Sequence, residues 1–571
     1  MKKIMKKSKN AAIYGQCEEE QPIRVILVSI GSPTHYALWN ELSCETLAGD
    51  LRGFFGSEVK VTIKRINREE GINEVLGYLK EKPTDILGLS IQPGSLILVD
   101  SFIKEYNLTE FIENKRPLVV LGNQIPTYFP EDMLERIPEG IIVRGEGEKS
   151  LRGLVESVKG NGKLRDVPNL AYRNNNKIIY TETITPNLKN LHYPPSTDTV
   201  HEILKRGGNA MVQASRGCPW GVCSYCTRKS FRHGKRWEGF PVERVIENIR
   251  DLVEMGITEI EFCDDEFIGG RDQKRVHRIE DIANGIEKIR REKNVNFTFR
   301  IFTRPDIIYK ENDNEGNDKI RTMLLRLKEV GLVKVYIGIE AGCKSRMNRL
   351  TRGMTIKEVR GALKTLKKLN IGIDAGFIMF DPELTLEEMM ENISFFRKEN
   401  LMPYNQWPFR PLIVNEGSRI KEKLDKAGQI TGKDINFIQY FYEFKDRNIA
   451  RIAKIVDEES RPSCFLFYAL KTISKRYFDP DKKDEETILA QKYVEEAGHI
   501  FLDLMDELVR NIKTASEEEI KEISNNTRKR VKELAYKVAS DVVEGKFKDI
   551  DGQLKNEMRN YGIEHLLCPS A

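Results

Sequence analysis

Three cysteines, Cys218, Cys223 and Cys226, crowd into the segment ASRGCPWGVCSYCT (214–227) with the spacing C-x4-C-x2-C. Thiolates hold soft or borderline metals, so this cluster reads as a zinc or an iron–sulfur site. Structural zinc takes four protein ligands; no fourth cysteine is near, and His233 is the closest other donor. A cubane held by three cysteines instead leaves one iron open to a ligand. Trp220, inside the loop, reads as a side chain that packs it down. Other polar residues stand where apolar runs end: Asp264 and Asp265 after EIEFC, Gly338 and Glu340 in KVYIGIE, and Ser90, Gln92 and Gly122 after DILGL and PLVVL. Cys263 and Cys343 sit beside two of these runs, but a lone cysteine ordinarily behaves as a small buried apolar side chain.

These residues need elements to position them. RVILVSI (24–30), KVTIKRI (60–66), DILGLSI (85–91), PLVVLGN (117–123) and GIIVRGEGE (140–148) are short apolar or alternating runs with helical segments such as Ile72 to Lys80 between them. Strands alternating with helices predict an open parallel α/β sheet, and ligands bind such sheets at the carboxyl ends of the strands. A second series begins at AMVQAS near 210 and continues at 259, 296, 334, 372 and 406. The segment PVERVIENIRDLVEMG (241–256) shows the helix between them: Val242, Val245, Ile246, Ile249, Leu252 and Val253 recur at helical spacing. Consecutive βα units of this kind predict a partial (β/α)6 barrel with its chemistry on the loops after the strands. The cysteine cluster follows the first of those strands. The chain divides into a polar tail (1–22), an α/β domain (23–158), a linker (159–204) with a hairpin turning at Asn174-Asn175-Asn176, the barrel (205–425), and a Lys- and Glu-rich helical domain (426–571).

Composition narrows the class. The 571 residues carry 92 Lys plus Arg against 87 Asp plus Glu, a net charge of +5, which argues against a dedicated nucleic-acid binder. No run of about 18 apolar residues suggests a membrane span, and the Lys-rich start lacks the apolar core of a signal peptide. Nine cysteines, an odd number, read as thiols of a reducing, cytoplasmic compartment and not as a disulfide framework.

The cysteine loop and the segments that follow it resemble the radical S-adenosylmethionine (SAM) superfamily over roughly 205–425. The family usually shows C-x3-C-x2-C, so this loop is longer by one residue. The resemblance implies that Cys218, Cys223 and Cys226 hold a [4Fe–4S] cluster whose free iron binds SAM. It implies that Tyr225 packs near the adenine, and that Asp264, Asp265, Gly338 and Glu340 contact SAM through CDDEF and YIGIEAGCKSRMNRLTRGMT. GFIMFDPELTLEEMMENI (376–393) and RPLIVNEGSRI (410–420) resemble the fifth and sixth strand segments. LGNQIPTYFPEDMLERIPEGIIVRGEGEKSL (121–151) resembles the end of a cobalamin (B12)-binding-type domain. The D-x-H-x-x-G motif that supplies a histidine to cobalt is absent; His35, in SPTHYALWN, reads as an ordinary loop residue.

Such an enzyme cleaves SAM reductively and abstracts hydrogen from an unactivated carbon, taking its electron from a reductant such as flavodoxin or ferredoxin, on a small-molecule or peptide substrate. With cobalamin against Ser90, Gln92 and Gly122, the implied reaction is C-methylation. Without it, the implied reaction is a rearrangement, cyclisation or other hydrogen-abstraction chemistry. A different class stands beside these: a non-catalytic, zinc-stabilised binding protein whose basic stretch TRKSFRHGKRW (227–237) contacts an anionic partner.

Overall fold

The computed structural model describes residues 21–33, 39–106, 117–175, 177–205, 208–404, 409–461, 470, 473 and 484–547. Strands β1 (Ile23–Ile30), β2 (Val59–Ile66), β3 (Ile86–Ile91), β4 (Leu118–Gly122) and β5 (Ile141–Val143) lie in the order β2-β1-β3-β4-β5, all parallel. Helices cover both faces, which is why β1, β3 and β4 are almost continuously apolar. Ile26 and Val28 of β1 pack with Ile72, Val75 and Leu79 on one side. Val25 and Leu27 pack with Cys44, Ala48 and Leu51 on the other.

The expected hairpin forms as β6 (Leu170–Asn174) and β7 (Lys177–Tyr180). It does not stand in a free linker: β6 pairs antiparallel with β5 and extends the first sheet. Asn175, in the turn, takes a left-handed φ of 52°, a conformation asparagine tolerates; Asn176 lies outside the described residues. The rest of the linker is packed as well. A Cβ on Gly49 would stand 2.0 Å from the Pro194 carbonyl oxygen, and one on Gly53 would stand 2.2 Å from the Tyr193 ring. These two glycines, one turn apart on the helix Leu42–Phe55, let the linker cross that helix at backbone distance.

The second sheet contains β8 (Ala210–Val212), β11 (Glu259–Phe262), β12 (Thr298–Thr303), β13 (Leu332–Glu340) and β14 (Gly372–Phe377), with the short pair β9 (Ser215–Arg216) and β10 (Glu238–Gly239) beside it. Its order is β14-β13-β12-β11-β8, all parallel. Helices Val242–Glu254, Gln273–Lys293, Asn314–Glu329, Ile356–Lys368 and Leu386–Lys398 alternate with the strands. Val245, Ile249, Leu252 and Val253 are buried, as their spacing predicts. Each such side chain contributes roughly 1.5–3 kcal/mol. Two of the helices start with a capping box written in the sequence, Thr355 with Glu358 and Thr385 with Glu388.

The sixth barrel segment joins through one parallel bridge, Phe380 to Pro411, with the Leu412 amide donating to the Phe380 carbonyl. Pro411 has no N–H to extend a ladder; residues 405–408 lie outside the described set. The chain then forms a small antiparallel sheet of β15 (Val414–Asn415), β16 (Ile430–Asp434) and β17 (Gln439–Tyr442), in the order β15-β17-β16. The region expected to be helical from 426 therefore opens with two strands. The alternation in so short a segment is submerged by the Lys and Glu content around it. The turn of this hairpin reaches the first domain: the Gly94 and Leu96 amides donate to the carbonyl and side-chain oxygens of Asn436, at 2.6 and 2.9 Å. Helices Arg447–Ser460, Glu485–Asn511 and Glu517–Val543 follow. Among the described residues no helix is long and apolar enough to cross a membrane.

Candidate active site

The cysteine loop leaves the barrel wall after β8 and is tied down at both ends. Gly217 has φ +82°, and a Cβ there would stand 2.2 Å from the Arg236 carbonyl oxygen, so only glycine fits. Its amide donates to Asp265 at 3.0 Å, and the other oxygen of that carboxylate accepts from Arg228 Nε at 2.7 Å. Asp265 thus clasps the start and the end of the loop. Asp264 accepts from the Ala214 amide at 3.1 Å and from the Ser215 hydroxyl. Both carboxylates expected on SAM are instead bound to the loop's own backbone and flanking side chains. Burial pushes Asp264 up to about 7 against the pull of these donors. Glu266, which the sequence reading did not single out, is fully buried under the same loop and also rises to about 7; it accepts from Thr303 Oγ1 at 2.6 Å and from the Gly269 amide at 2.7 Å. Trp220 packs the loop down as expected: its indole N–H donates to the Thr351 carbonyl at 2.6 Å while the ring lies against Gly353.

The sulfurs face cations. Cys223 is buried and receives Arg352 Nη1 at 3.2 Å, with Arg304 Nη1 at 4.0 Å. Arg352 also donates to the Tyr225 hydroxyl at 2.9 Å and to the Gly338 carbonyl. Arg304 donates to the Arg352 carbonyl at 2.7 Å and pairs with Asp306. Glu340 sits at a register shift between β13 and β14, with φ +69°. Its carboxylate lies so close over Gly338 that a Cβ there would meet it at 2.6 Å. Tyr225, Gly338, Glu340 and Cys223 are therefore brought together around Arg352, while Asp264 and Asp265 stand under the loop. Burial would lower the Arg352 pKa, but Tyr225, Glu340 and Cys223 beside it hold it above the ordinary guanidinium value. Burial raises Cys218 to about 11, opposed by the Arg304 charge and by the Gly221 and Trp220 amides. Cys226 is raised as well, by burial first.

Arg304 and Arg352 were missed by the sequence reading. Arg304 directly follows β12 in FTRPD, a strand-end position that would have flagged it. Arg352 sits in LTRGMT after a further helical turn, with no local signal of its partners. Cys343 is buried and its thiol touches Ser345.

The donors on the loop are sulfurs, the ligands that an iron–sulfur core takes. Among the described residues no three His, Cys, Asp or Glu side chains converge to hold one metal ion. His233 lies against the first domain, its Nε2 at 3.4 Å from the Arg144 carbonyl. Three thiols on one loop with two guanidiniums beside them suit a larger anionic thiolate cluster, and Arg352 Nε, buried and without a partner, leaves a donor for a ligand.

A cavity of ≈ 300 Å³ lies between the first sheet and the residues that flank the cysteine loop. Ser90, Gly122 and Asn123 form one wall; Arg216, Phe231 and Asp265 form the other. Cys44 and Cys263 also line it, and burial raises both thiols well above their usual range. Nothing stands within 4 Å of where a Gly122 Cβ would lie, so the space over this residue is open. Asn123, at φ 79°, was not foreseen; its amide donates to Ser90 Oγ at 2.9 Å. Gln92 does not line the cavity. Its amide donates to Ser29 Oγ at 3.0 Å and Glu41 Oε2 at 3.2 Å, because two residues beyond Ser90 the chain has already passed the sheet edge. His35 lies outside the described residues.

Residues 212–396 match the radical SAM superfamily. This part of the chain is a radical SAM domain. A domain of this family works with a [4Fe–4S] cluster and SAM. The chain is 29% identical over 373 residues to 4′-phospho-dehydrooxetanocin synthase of Priestia megaterium, covering 62% of this chain and 48% of that one. It is 29% identical over 335 residues to an uncharacterised methyltransferase of Pyrococcus horikoshii, covering 57% and 67% of the two chains. The chain thus spans about half the length of the first of these curated relatives. Its fold resembles that of the cobalamin-dependent S-adenosylmethionine radical enzyme OxsB with aqua-cobalamin and S-adenosylmethionine bound: TM-score 0.81, 22% identity, 95% of this chain and 84% of that chain covered.

Proposed function

We propose that this protein is a cobalamin-dependent radical SAM enzyme that methylates an unactivated carbon of a small-molecule or peptide substrate in a reducing, cytoplasmic setting. The observation that carries the reading is the shared cavity. One of its walls is the strand-end surface at Ser90 and Gly122, and the other is formed by residues that flank the cysteine loop, Arg216 before it and Arg228 after it, with Asp265, which clasps both ends. A corrin in this cavity would lie against the anchors of the loop that holds the cluster.

Cys218, Cys223 and Cys226 would hold the [4Fe–4S] cluster. Arg352 and Arg304 offset its negative charge and fix the loop. Tyr225, Gly338 and Glu340 offer SAM a ring face, a backbone edge and a carboxylate, and the unpartnered Arg352 Nε offers a donor. Gly122 leaves open space for the corrin, and Ser90 and Asn123 present polar atoms to it. When bound, the cluster supplies the electron that cleaves SAM, and cobalamin supplies the methyl group. The barrel and the first domain together keep water from the space between them.

The test is anaerobic reconstitution with iron, sulfide and hydroxocobalamin, followed by assay with SAM and a one-electron reductant. Retained corrinoid, with formation of both 5′-deoxyadenosine and S-adenosylhomocysteine, supports methyl transfer. A second reading, hydrogen abstraction without methyl transfer, is favoured by the similarity to a synthase. It predicts 5′-deoxyadenosine alone.

A further inference from the structure

The basic stretch 227–237 is the one motif the site does not absorb, and the structure sorts its charges into two groups. Arg228 pairs with Asp265, Arg232 with Glu146, and Lys235 with Glu238. These are internal fastenings. Lys229 and Arg236 are exposed and pair with no carboxylate among the described residues. Both stems lie along the outer turn of the cysteine loop: a Cβ on Gly221 would meet Arg236 Cγ at 3.7 Å and Lys229 Cδ at 3.9 Å.

A third exposed cation arrives from far along the chain. Arg419 begins the helix Arg419–Lys426, and its Nη1 donates to the Val222 carbonyl at 3.1 Å. It too has no carboxylate partner among the described residues. The nearby acids are already taken, Asp381 by Arg346 and Glu383 by Lys423. Lys229, Arg236 and Arg419 thus surround Gly221 and Val222, which are partly exposed and lie between the ligand candidates Cys218 and Cys223. Cys218 and Cys226, like this turn, are themselves only partly buried.

We propose that Lys229, Arg236 and Arg419 form the docking surface for an acidic one-electron carrier protein, which delivers its electron across the Gly221–Val222 turn. The inference rests on the cluster assignment above and adds where the electron enters. Unpaired exposed cations attract an acidic partner over a Debye length and raise the rate of productive encounter. A partly exposed turn between two ligand cysteines gives the electron a short path. At this surface the carrier loses one electron and the cluster gains it; no bond or proton moves.

The experiment uses the reconstituted full-length chain and a purified flavodoxin, itself acidic. Its association is measured across a salt series, and cluster reduction is followed by visible absorbance with reduced flavodoxin and separately with dithionite. The double variant Lys229→Glu/Arg236→Glu should slow association about tenfold or more at low salt and flatten its salt dependence. Iron content and dithionite-driven reduction should stay at the parent level. The neutral pair Lys229→Gln/Arg236→Gln should lie between. A control, Lys364→Glu/Lys368→Glu on the exposed side of the helix Ile356–Lys368, should bind flavodoxin as the parent does. Unchanged flavodoxin binding in the first variant overturns the proposal. So does loss of dithionite reduction in both variants, since the two residues would then be holding the loop. Failure of the parent chain to bind iron would instead strike the cluster assignment itself.

Discussion

Arg352 Nη1 stands 3.2 Å from the sulfur of Cys223, a residue 129 positions earlier in the chain. The same nitrogen reaches the Tyr225 hydroxyl at 2.9 Å, and its partner nitrogen reaches the Gly338 carbonyl. One guanidinium therefore joins the cysteine loop to the end of β13, two parts of the site that stand more than 100 positions apart in the sequence.

Replacing Arg352 by alanine should leave a buried sulfur, a hydroxyl and a carbonyl without their donor. Stability should fall by about 1–3 kcal/mol in chemical denaturation. After reconstitution the cluster should reduce at a more negative potential, because a nearby positive charge is gone. Arg352→Lys should recover more of the potential than of the stability, since lysine restores charge but not the forked bond. Equal potentials in the parent and the alanine variant would show that Arg352 acts only on packing.

Gly122→Phe should place its Cβ without a clash, because nothing lies within 4 Å of it. Its ring would occupy the cavity over the strand end. We expect corrinoid retention after anaerobic purification to drop by at least an order of magnitude, with iron content unchanged. Full retention of cobalamin would mean that the corrin binds elsewhere.

Asp265→Asn keeps the size of the clasp but removes the charge that holds Arg228. One oxygen can still accept from the Gly217 amide, while the partner of Arg228 is lost. Iron bound per chain should fall, with a stability change on the order of 1 kcal/mol. If Asp265 contacted SAM instead, iron would be unchanged and only SAM affinity would suffer.

Glu45 gives a pH signature far from the cysteines. Burial pushes its carboxyl up to about 7, against the donors Thr199 and Asn40 and with the Glu41 charge adding to the rise. The folded value exceeds the unfolded one of 4.5. Its stabilising contribution is therefore complete below that unfolded value and is lost as pH rises through about 7. The loss is on the order of 3 kcal/mol between the two limits. Asp264 and Glu266 have the same sign. Thermal denaturation from pH 5 to 8 should show a falling midpoint, and Glu45→Gln should flatten part of that slope. A parallel slope in the variant would mean that Glu45 stays ionised in the folded state.

The strands of the first sheet and the first five of the barrel follow the apolar or alternating runs closely: β1 and β3, buried on both faces, are continuous apolar stretches, while β12 and β13 alternate buried and half-buried residues. The helix Val242–Glu254 follows for the same kind of reason: its buried positions recur at the helical period. The hairpin β16–β17 was not legible. Its strands are short and half-exposed, and what holds it is Asn436 against Gly94 and Leu96, more than 300 positions away. Gln92 shows the limit at single-residue scale. A strand end places Ser90 and Gly122 on the cavity, but two residues on only the tertiary path decides direction.

Sequence alone was enough for the three cysteines, their spacing and the alternation that places them after a barrel strand, since these depend on neighbours along the chain. The tertiary structure decided what surrounds them. It assigned Asp264 and Asp265 to the loop's backbone and brought in Arg304 and Arg352. It also set the first domain's strand ends across one cavity from the residues that flank the loop. Those pairings depend on how separate elements pack, and a side chain carries no mark of the distant partner that packing will give it.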